Sequence, residues 1–404
     1  MLKSIIRKEI LSNLLSYKFS IIIILSTILI LVSIFVMYRD HCLALDNYEI
    51  LRRTKSEDTV VVIPPTPLGI FAKGLDENLC RSYEDGYGGR IHASSKQQSL
   101  NNLFKLFTAP DLLYVIKVIL SLCAMLFAFD IVSGEKEIGT LRQSLSCSLK
   151  RPILIIGKWI GGFTSFILPF FIAVLLGTIF VTLSPVVDIN AQNWAKLGLF
   201  LLSSVIYLAV FFSLGLLISC LTHRSSTSLV ISLFVWAIFV FIIPNLGHIL
   251  ARQLVRIPTV QQLELKLEQS SIKRRFERHR VDDSQYRRID NRIRAENEKF
   301  LEDYRNRFNR LVKVSQNITR ISPAAAFTLL ATDIMGTGMA EERRLKRAVL
   351  QYLKDRDDKM LGYQRSSVKE VLGRGGMSNC LILILFNILF FTGAHVAFLR
   401  YDVR

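Results

Sequence analysis

The stretch FSIIIILSTILILVSIFVMY, Phe19 to Tyr38, carries no charge over about the 20 residues that an α-helix needs to cross the hydrocarbon core of a bilayer. Five more runs of this kind follow: Leu112–Val132, Ile153–Leu183, Leu197–Leu221, Leu229–His248 and Cys380–Leu399. The composition agrees with that reading. Of 404 residues 51% are hydrophobic, yet the formal net charge is +18 and the mean hydropathy +0.36, so apolar and charged residues must be segregated along the chain. The expected fold is an all-α integral membrane protein with six transmembrane helices.

Details of the runs refine the picture. Lys117 lies near one end of the second, where its stem can snorkel to the interface. The third is longer than one crossing requires, with Gly161, Gly162 and Pro169 as the expected bending points. The first is too long for a signal-peptide core, and YRDHC after it lacks the small-residue cleavage pattern, so it reads as a retained anchor.

Sidedness follows from the short connections, because long domains translocate largely regardless of charge. Lys3, Arg7, Lys8 and Lys18 precede the first run; Lys136, Arg142, Lys150 and Arg151 join the second and third; His223 and Arg224 join the fourth and fifth; Arg400 and Arg404 end the chain. All share one side, which is then cytoplasmic. Residues 1–18, 133–152 and 400–404 are the expected cytoplasmic parts, and 39–111 and 249–379 the extracytoplasmic ones. The last of these is basic but long, so its charge does not decide its side.

The chain has no phosphate-cradling G-x-x-x-x-G-K-[ST], no H-E-x-x-H, no C-x-x-C and no G-x-S-x-G, which argues against an enzyme. Gly157-Lys158 opens an apolar helix without a Gly-rich turn and reads as interface packing and snorkelling. The charged interruption FDIVSGEKEIGTLRQSLSCSLKRP, Phe129 to Pro152, is the candidate working part. Gly134 permits a turn as the chain leaves the membrane, and Glu135 and Glu137 suit the N-terminus of a short helix. Thr140 to Leu149 would form that helix, with Leu141, Leu145 and Leu149 on one face. Such a helix is either a lever for a partner or a charged connection that merely sets topology. At the N-terminus, Ile6, Ile10 and Leu14 repeat on one face beside Lys3, Arg7 and Lys8, as for a helix lying on an anionic membrane surface.

GEKEIGTLR, the GKWIGG that follows, and IRKEILSNLLSYKF resemble the matching segments of permease subunits of ABC transporters with the type V, exporter-like fold. SPAAAFTLLATDIMGTG, Ser322 to Gly338, resembles the subfamily with a large outside insertion between the last two spans. The resemblance implies that Gly134, Glu135, Glu137, Gly139, Thr140, Leu141, Arg142 and Leu145 couple to an ATPase. It implies ABC ATPase subunits as partners, ATP and Mg bound there rather than on this chain, and a second permease copy or a related permease. It places the chain in a bacterial inner membrane, among membrane lipids, with both termini cytoplasmic. Two functions are compatible with it: export or extraction of a substrate, and ATP-driven mechanotransmission through the outside domain to an envelope partner. The substrate is not legible.

In the long outside segment, Ile289, Ile293, Phe300, Tyr304, Phe308 and Leu311 fall at helical spacing, as do Leu345, Val349 and Tyr352. Two amphipathic helices are expected, paired as a hairpin or against a partner's copy, with Ile321 to Met335 between them on the outer membrane face. Lys273-Arg274-Arg275 and Arg287-Arg288 read as solvated faces, or as attraction for lipid head groups or an acidic partner; nucleic acid would be on the wrong side. In the first outside loop VVVIPPTPLG suggests a strand running into a Pro-rich turn, and SYEDGYGGR a loop. Cys42 and Cys80 are both expected outside, where a disulfide can form. Asn317-Ile318-Thr319 fits a glycosylation sequon, which carries little weight in a bacterial-looking permease. Asn387, His395, Pro244 and Asn245 interrupt spans, lining a path or bonding helix to helix.

Overall fold

The computed structural model describes residues 2–54, 60–76, 82–86, 90–94, 110–146, 150–187, 189–355, 363 and 365–401. Each apolar run becomes a helix, and six are long and apolar enough to cross a membrane: Tyr17–Arg53, Leu112–Ile138, Arg151–Thr182, Ala191–Leu221, Ser225–Leu254 and Met377–Leu399. In chain order the helices that position the site are α1 (Leu2–Leu14), α2 (Tyr17–Thr54) and α3 (Leu112–Tyr114, Val115–Leu120 and Ser121–Ala128). They continue with α4 (Ser133–Ile138), α5 (Thr140–Ser146), α6 (Arg151–Thr182) and α7 (Ala191–Leu221). α8 (Ser225–Ala237) runs through a π turn, Ile238–Ile242, into α9 (Ile243–Leu254). After them come α10 (Val260–Arg280), α11 (Asp283–Thr319), α12 (Pro323–Met335), α13 (Met339–Asp355), α14 (Val368–Val371) and α15 (Met377–Leu399).

Contacts divide the chain into two compact units, Met1–Val240 with Pro323–Arg404, and Phe241–Ser322. In the first, α7 is the central rod, packed by α3, α12 and α15, and it buries Phe200, Tyr207, Phe211 and Phe212 completely. Tyr207 stacks on Phe327 of α12, ring centroids 4.3 Å apart. Its hydroxyl donates to the Lys117 carbonyl at 2.7 Å, and Ser121 Oγ donates to the same carbonyl at 2.6 Å. The π-helical turn Val115–Leu120 shifts the backbone ladder there, which leaves carbonyls for such side-chain donors.

Glycines set how closely α6 approaches its neighbours. A Cβ at Gly177 would collide with Ile34 Cδ1 of α2, and one at Gly162 would stand 2.9 Å from the Phe212 ring. Gly161 and Gly162, expected as bending points, are therefore contact positions, and α6 continues through Pro169 as one helix.

Four sequence expectations change. α2 runs on to Thr54, well past the apolar run, because the charged residues after Tyr38 stay helical once the helix is nucleated. Ser82–Gly86, read as a loop, is the middle strand of a small antiparallel sheet with Val60–Val62 and Arg90–Ser94. α12, expected on a membrane face, has Ala324, Ala326, Phe327, Leu330 and Ala331 buried by α7 and α15. The expected pairing of two amphipathic helices also divides. α13 belongs to the first unit, where Leu345 and Val349 are buried, whereas α11 pairs in the second unit with α10.

Buried polar links close the first unit at the end where α12 and α13 meet. Leu75 N donates to Thr337 O at 2.8 Å, across a close pass that Gly74 allows with its positive φ of 48°. Arg365 donates to Asp76 Oδ1 at 2.9 Å and to Gly336 O at 2.8 Å. Tyr363 donates to the buried Glu341 at 2.6 Å; burial first, then that carboxylate, push the phenol pKa well up.

The second unit is a hairpin on a base. α9 crosses the end of α11 at Gly247, where a Cβ would collide with Thr319 Cγ2, and His248 Nδ1 lies 2.8 Å from Ser315 Oγ. α10 begins at a capping box of Thr259 and Gln262 and returns along α11, with Lys266 3.8 Å over the Phe300 ring and Ser270 bonded to Asn297.

Candidate functional site: the GEKE connection

The interruption between the second and third apolar runs folds as two short helices at a sharp corner. α4 ends at Gly139, whose φ of 85° lies in the left-handed region that glycine enters without steric cost. α5 starts at the next residue. The turn expected at Gly134 is thus at Gly139, and Gly134 sits inside α4, where an added Cβ would meet Asp130 and Ser225 only at ordinary van der Waals distance. Glu135 and Glu137 accordingly do not open the Leu141 helix; they belong to the helix before the corner.

What those charges do is fasten α4 to the rest of the bundle. Glu135 Oε1 accepts from Lys158 Nζ of α6 at 2.7 Å, and the same ammonium reaches Glu9 Oε1 of α1 at 3.0 Å. Lys158 is 2% exposed. Lys136 donates to the carbonyls of Cys220 and Thr222, the latter at 3.0 Å, and sits 4.7 Å over the Tyr401 ring. A cation thereby satisfies the open carbonyls at the C-terminus of α7. Glu137 Oε2 accepts from the backbone N of Ser225 at 2.9 Å and its Oγ at 2.6 Å, an anion at the N-terminus of α8. Ser219 Oγ accepts from Val132 N and Ser133 N at 3.0 and 2.9 Å, which satisfies two donors at the start of α4. Three consecutive charged residues thus tie one short helix to α1, α6, α7 and α8.

α5 is two-sided. Leu141 is 0% exposed and Leu145 half-buried, in a cluster with Val132, Leu154, Ile155, Leu216 and Phe398. Ile138, Gly139, Thr140, Arg142 and Gln143 face out, and Ile138 is 78% exposed although apolar. Leu149 lies outside the described residues, so the described helix is Thr140–Ser146. Arg151, where α6 begins, donates to Leu399 O and Tyr401 O at 3.0 and 3.1 Å, which fixes the end of α15 beside the same corner.

α1, expected to lie on the membrane surface, packs on α6. Ile6, Ile10 and Leu14 are half-buried, while Lys3, Arg7 and Lys8 are exposed. A Cβ at Gly157 would stand 2.7 Å from Ile5 Cγ2, and one at Gly161 2.7 Å from Glu9 Cβ, so this glycine pair is the groove that receives α1. The packing reading of Gly157-Lys158 holds for the glycine. The snorkelling reading does not hold for Lys158, whose ammonium turns inward to two carboxylates. Sequence reasoning missed Glu9, Lys158, Ser219 and Ser225 as partners; an isolated Lys in an apolar helix was the one available signal.

The other singled-out residues lie elsewhere. Ser213 donates to Asn387 Oδ1 and Trp159 Nε1 donates to Ser213, each at 2.9 Å, so Asn387 bonds helix to helix. Asn245 donates back to Phe241 O, and Pro244 stands in the first turn of α9. His395 Nδ1 is buried with no hydrogen-bond partner among the described residues. Cys42 is half-buried on α2, and Cys80, its expected disulfide partner, lies outside the described residues.

Six spans with this corner between the second and third match a family across the whole chain: the model of the ABC-2 family transporter protein covers residues 4–403. The chain belongs to the ABC-2 family of transporter proteins. A curated relative, "Probable ABC transporter permease protein NosY" of Stutzerimonas stutzeri, is 30% identical over 140 residues, covering 33% of this chain and 49% of the relative. The chain therefore spans about half the length of the curated relative it matches. This ABC-2 protein is a multi-pass membrane permease in which GEKE, GKWIGG and Glu9 of α1 meet at one point.

Proposed function

We propose that this permease is the membrane subunit of an ATP-driven exporter and that α5 is where a separate ATPase subunit drives it. The observation that carries the reading is an exposed face at the α4–α5 corner, backed by the tied charges of α4. Ile138, Arg142 and Gln143 are presented outward, while Leu141 and the three charges of α4 connect that face to α1, α6, α7 and α8. A displacement applied to α5 then moves four helix ends together, because close-packed elements transmit strain. In this reading ATP and Mg are bound and hydrolysed on the ATPase, and the chain itself catalyses nothing. In this reading, which the Lys and Arg of the short connections support, α1, α4, α5 and the C-terminus lie on the cytoplasmic side of a bacterial inner membrane. A second permease copy or a relative completes the path along which a substrate is exported or extracted from the bilayer.

A second reading, mechanotransmission without transport, is favoured by one observation. Phe241–Ser322 is a separate compact unit whose first helix is the last part of the fifth span, and its α10 exposes Ile272 and Phe276. Motion of that span would then reach an envelope partner.

The test of the coupling reading uses two exposed residues beside the corner. Ile138→Asp with Arg142→Glu should leave membrane insertion unchanged and abolish co-purification of the cognate ATPase, or its permease-dependent change in ATP turnover. Wild-type assembly and turnover in this variant would sink the reading.

A further inference from the structure

We infer that Lys158 is a positioning residue for coupling: it fastens the N-terminal helix α1 to α4, so that the two carry a displacement of α5 into the bundle as one body. The inference rests on the coupling reading above.

Three observations support it. First, Glu9 and Glu135 come from distant parts of the chain and share one ammonium, at 3.0 and 2.7 Å, so among the described residues the ion-pair link between α1 and α4 runs through Lys158. Second, the arrangement is poor as a stabilising device. Two carboxylates meet one cation, and Glu135 Oε2 is buried with no hydrogen-bond partner among the described residues. Apolar residues of the same volume commonly stabilise such sites at least as well, whereas an ion pair supplies a fixed mutual position. Third, α1 has its own docking surface without the triad, since Gly157 and Gly161 admit Ile5, Ile6 and the Glu9 stem against α6. What Lys158 adds is α4. At 2% exposure it offers nothing for an ATPase to touch, so any effect of changing it on turnover acts through position.

The experiment uses the full-length permease with its cognate ATPase in lipid nanodiscs. Lys158→Met with Glu9→Gln and Glu135→Gln removes every charge and keeps the volumes; Lys158→Arg keeps the link. In a background without reactive cysteines, spin labels at the exposed Lys8 and Gln143 report the distance from α1 to α5 with and without ATP. The neutral triple variant should bind the ATPase like wild type, lose its permease-dependent change in turnover by roughly tenfold, mid-range for coupling between sites, and broaden a label distance that is narrow in wild type in both states. Lys158→Arg should retain most of the coupling and the narrow distance. A triple variant with wild-type coupling and a wild-type distance overturns the inference, as does a wild-type distance that changes with ATP. Should the triple variant not assemble, Glu9→Gln alone decides, because it leaves the Lys158 to Glu135 pair in place. Lost coupling with intact assembly supports the strut, and unchanged coupling overturns it. Failure here with a phenotype for Ile138→Asp and Arg142→Glu leaves the coupling reading standing; no phenotype for that pair removes the reading itself.

Discussion

The GEKE corner and the α10–α11 hairpin are both rich in Glu, Lys and Arg, yet they use charge in opposite ways. At the corner, each charge of α4 reaches a different helix, and Lys158 is buried where it meets Glu135 and Glu9. On α11 the pairs are local, all one helical turn apart: Arg292 with Glu296 and Arg307 with Asp303 are exposed, and Arg294 is exposed beside a half-buried Asp290. Exposed pairs one turn apart contribute about 0.3 to 0.5 kcal/mol, and breaking a buried pair costs about 3 to 5 kcal/mol because the partner is left uncompensated. The same residue types therefore solvate a helix in one region and hold four helices together in the other.

Lys158→Ala should break this comparison most severely. It leaves the half-buried Glu9 and Glu135 without their shared cation, and the expected loss is about 3 kcal/mol, the low end for a buried pair. A fall of many degrees in the apparent melting temperature in detergent is the check, and a shift within error would mean that water already serves the two carboxylates.

Gly161→Val comes next. Its side chain would meet Glu9 Cβ and the Ile6 carbonyl, at 2.7 and 3.2 Å from a Cβ, and helix backbone cannot yield as a side-chain tip can. Overpacking of this kind costs about 1 to 3 kcal/mol. α1 should lift from α6, and a cysteine at Ile10 should become reactive to maleimide while the span topology stays unchanged. Protection equal to wild type would show that the groove is not what seats α1.

The smallest effect is expected on the hairpin. Arg292→Ala removes one exposed pair and should cost about 0.5 kcal/mol or less, too little to move the melting temperature measurably. A loss comparable to Lys158→Ala would erase the contrast.

How much of this was legible follows the same division. The spans were readable because transfer of a long uncharged helix into lipid depends on composition alone, and all six lie within helices of the structure. The inward face of α5 was readable from Leu141 and Leu145, since a period of one helical turn marks a buried stripe. The ends of helices were not: α2 continues through Arg39 to Thr54, where hydropathy falls but helix formation does not. α10 went unread because its sequence is polar on nearly every face and gains its place from α11. α12 looked like a lipid-facing segment because apolarity does not say whether lipid or protein covers a side chain; Phe327 meets Tyr207 and Phe200. The partners of Glu135, Lys136 and Glu137 depend on tertiary register, which brings α1, α6, α7 and α8 to one corner and leaves no period in the sequence.

The central claim is that the corner meets the ATPase and the hairpin does not. A photo-crosslinking residue placed at Ile138, and in a second protein at Phe276 of α10, in the assembled complex with its ATPase tests both halves at once; both positions are exposed and apolar. The account predicts an adduct with the ATPase subunit from Ile138 and none from Phe276. An ATPase adduct from Phe276, with none from Ile138, would contradict it.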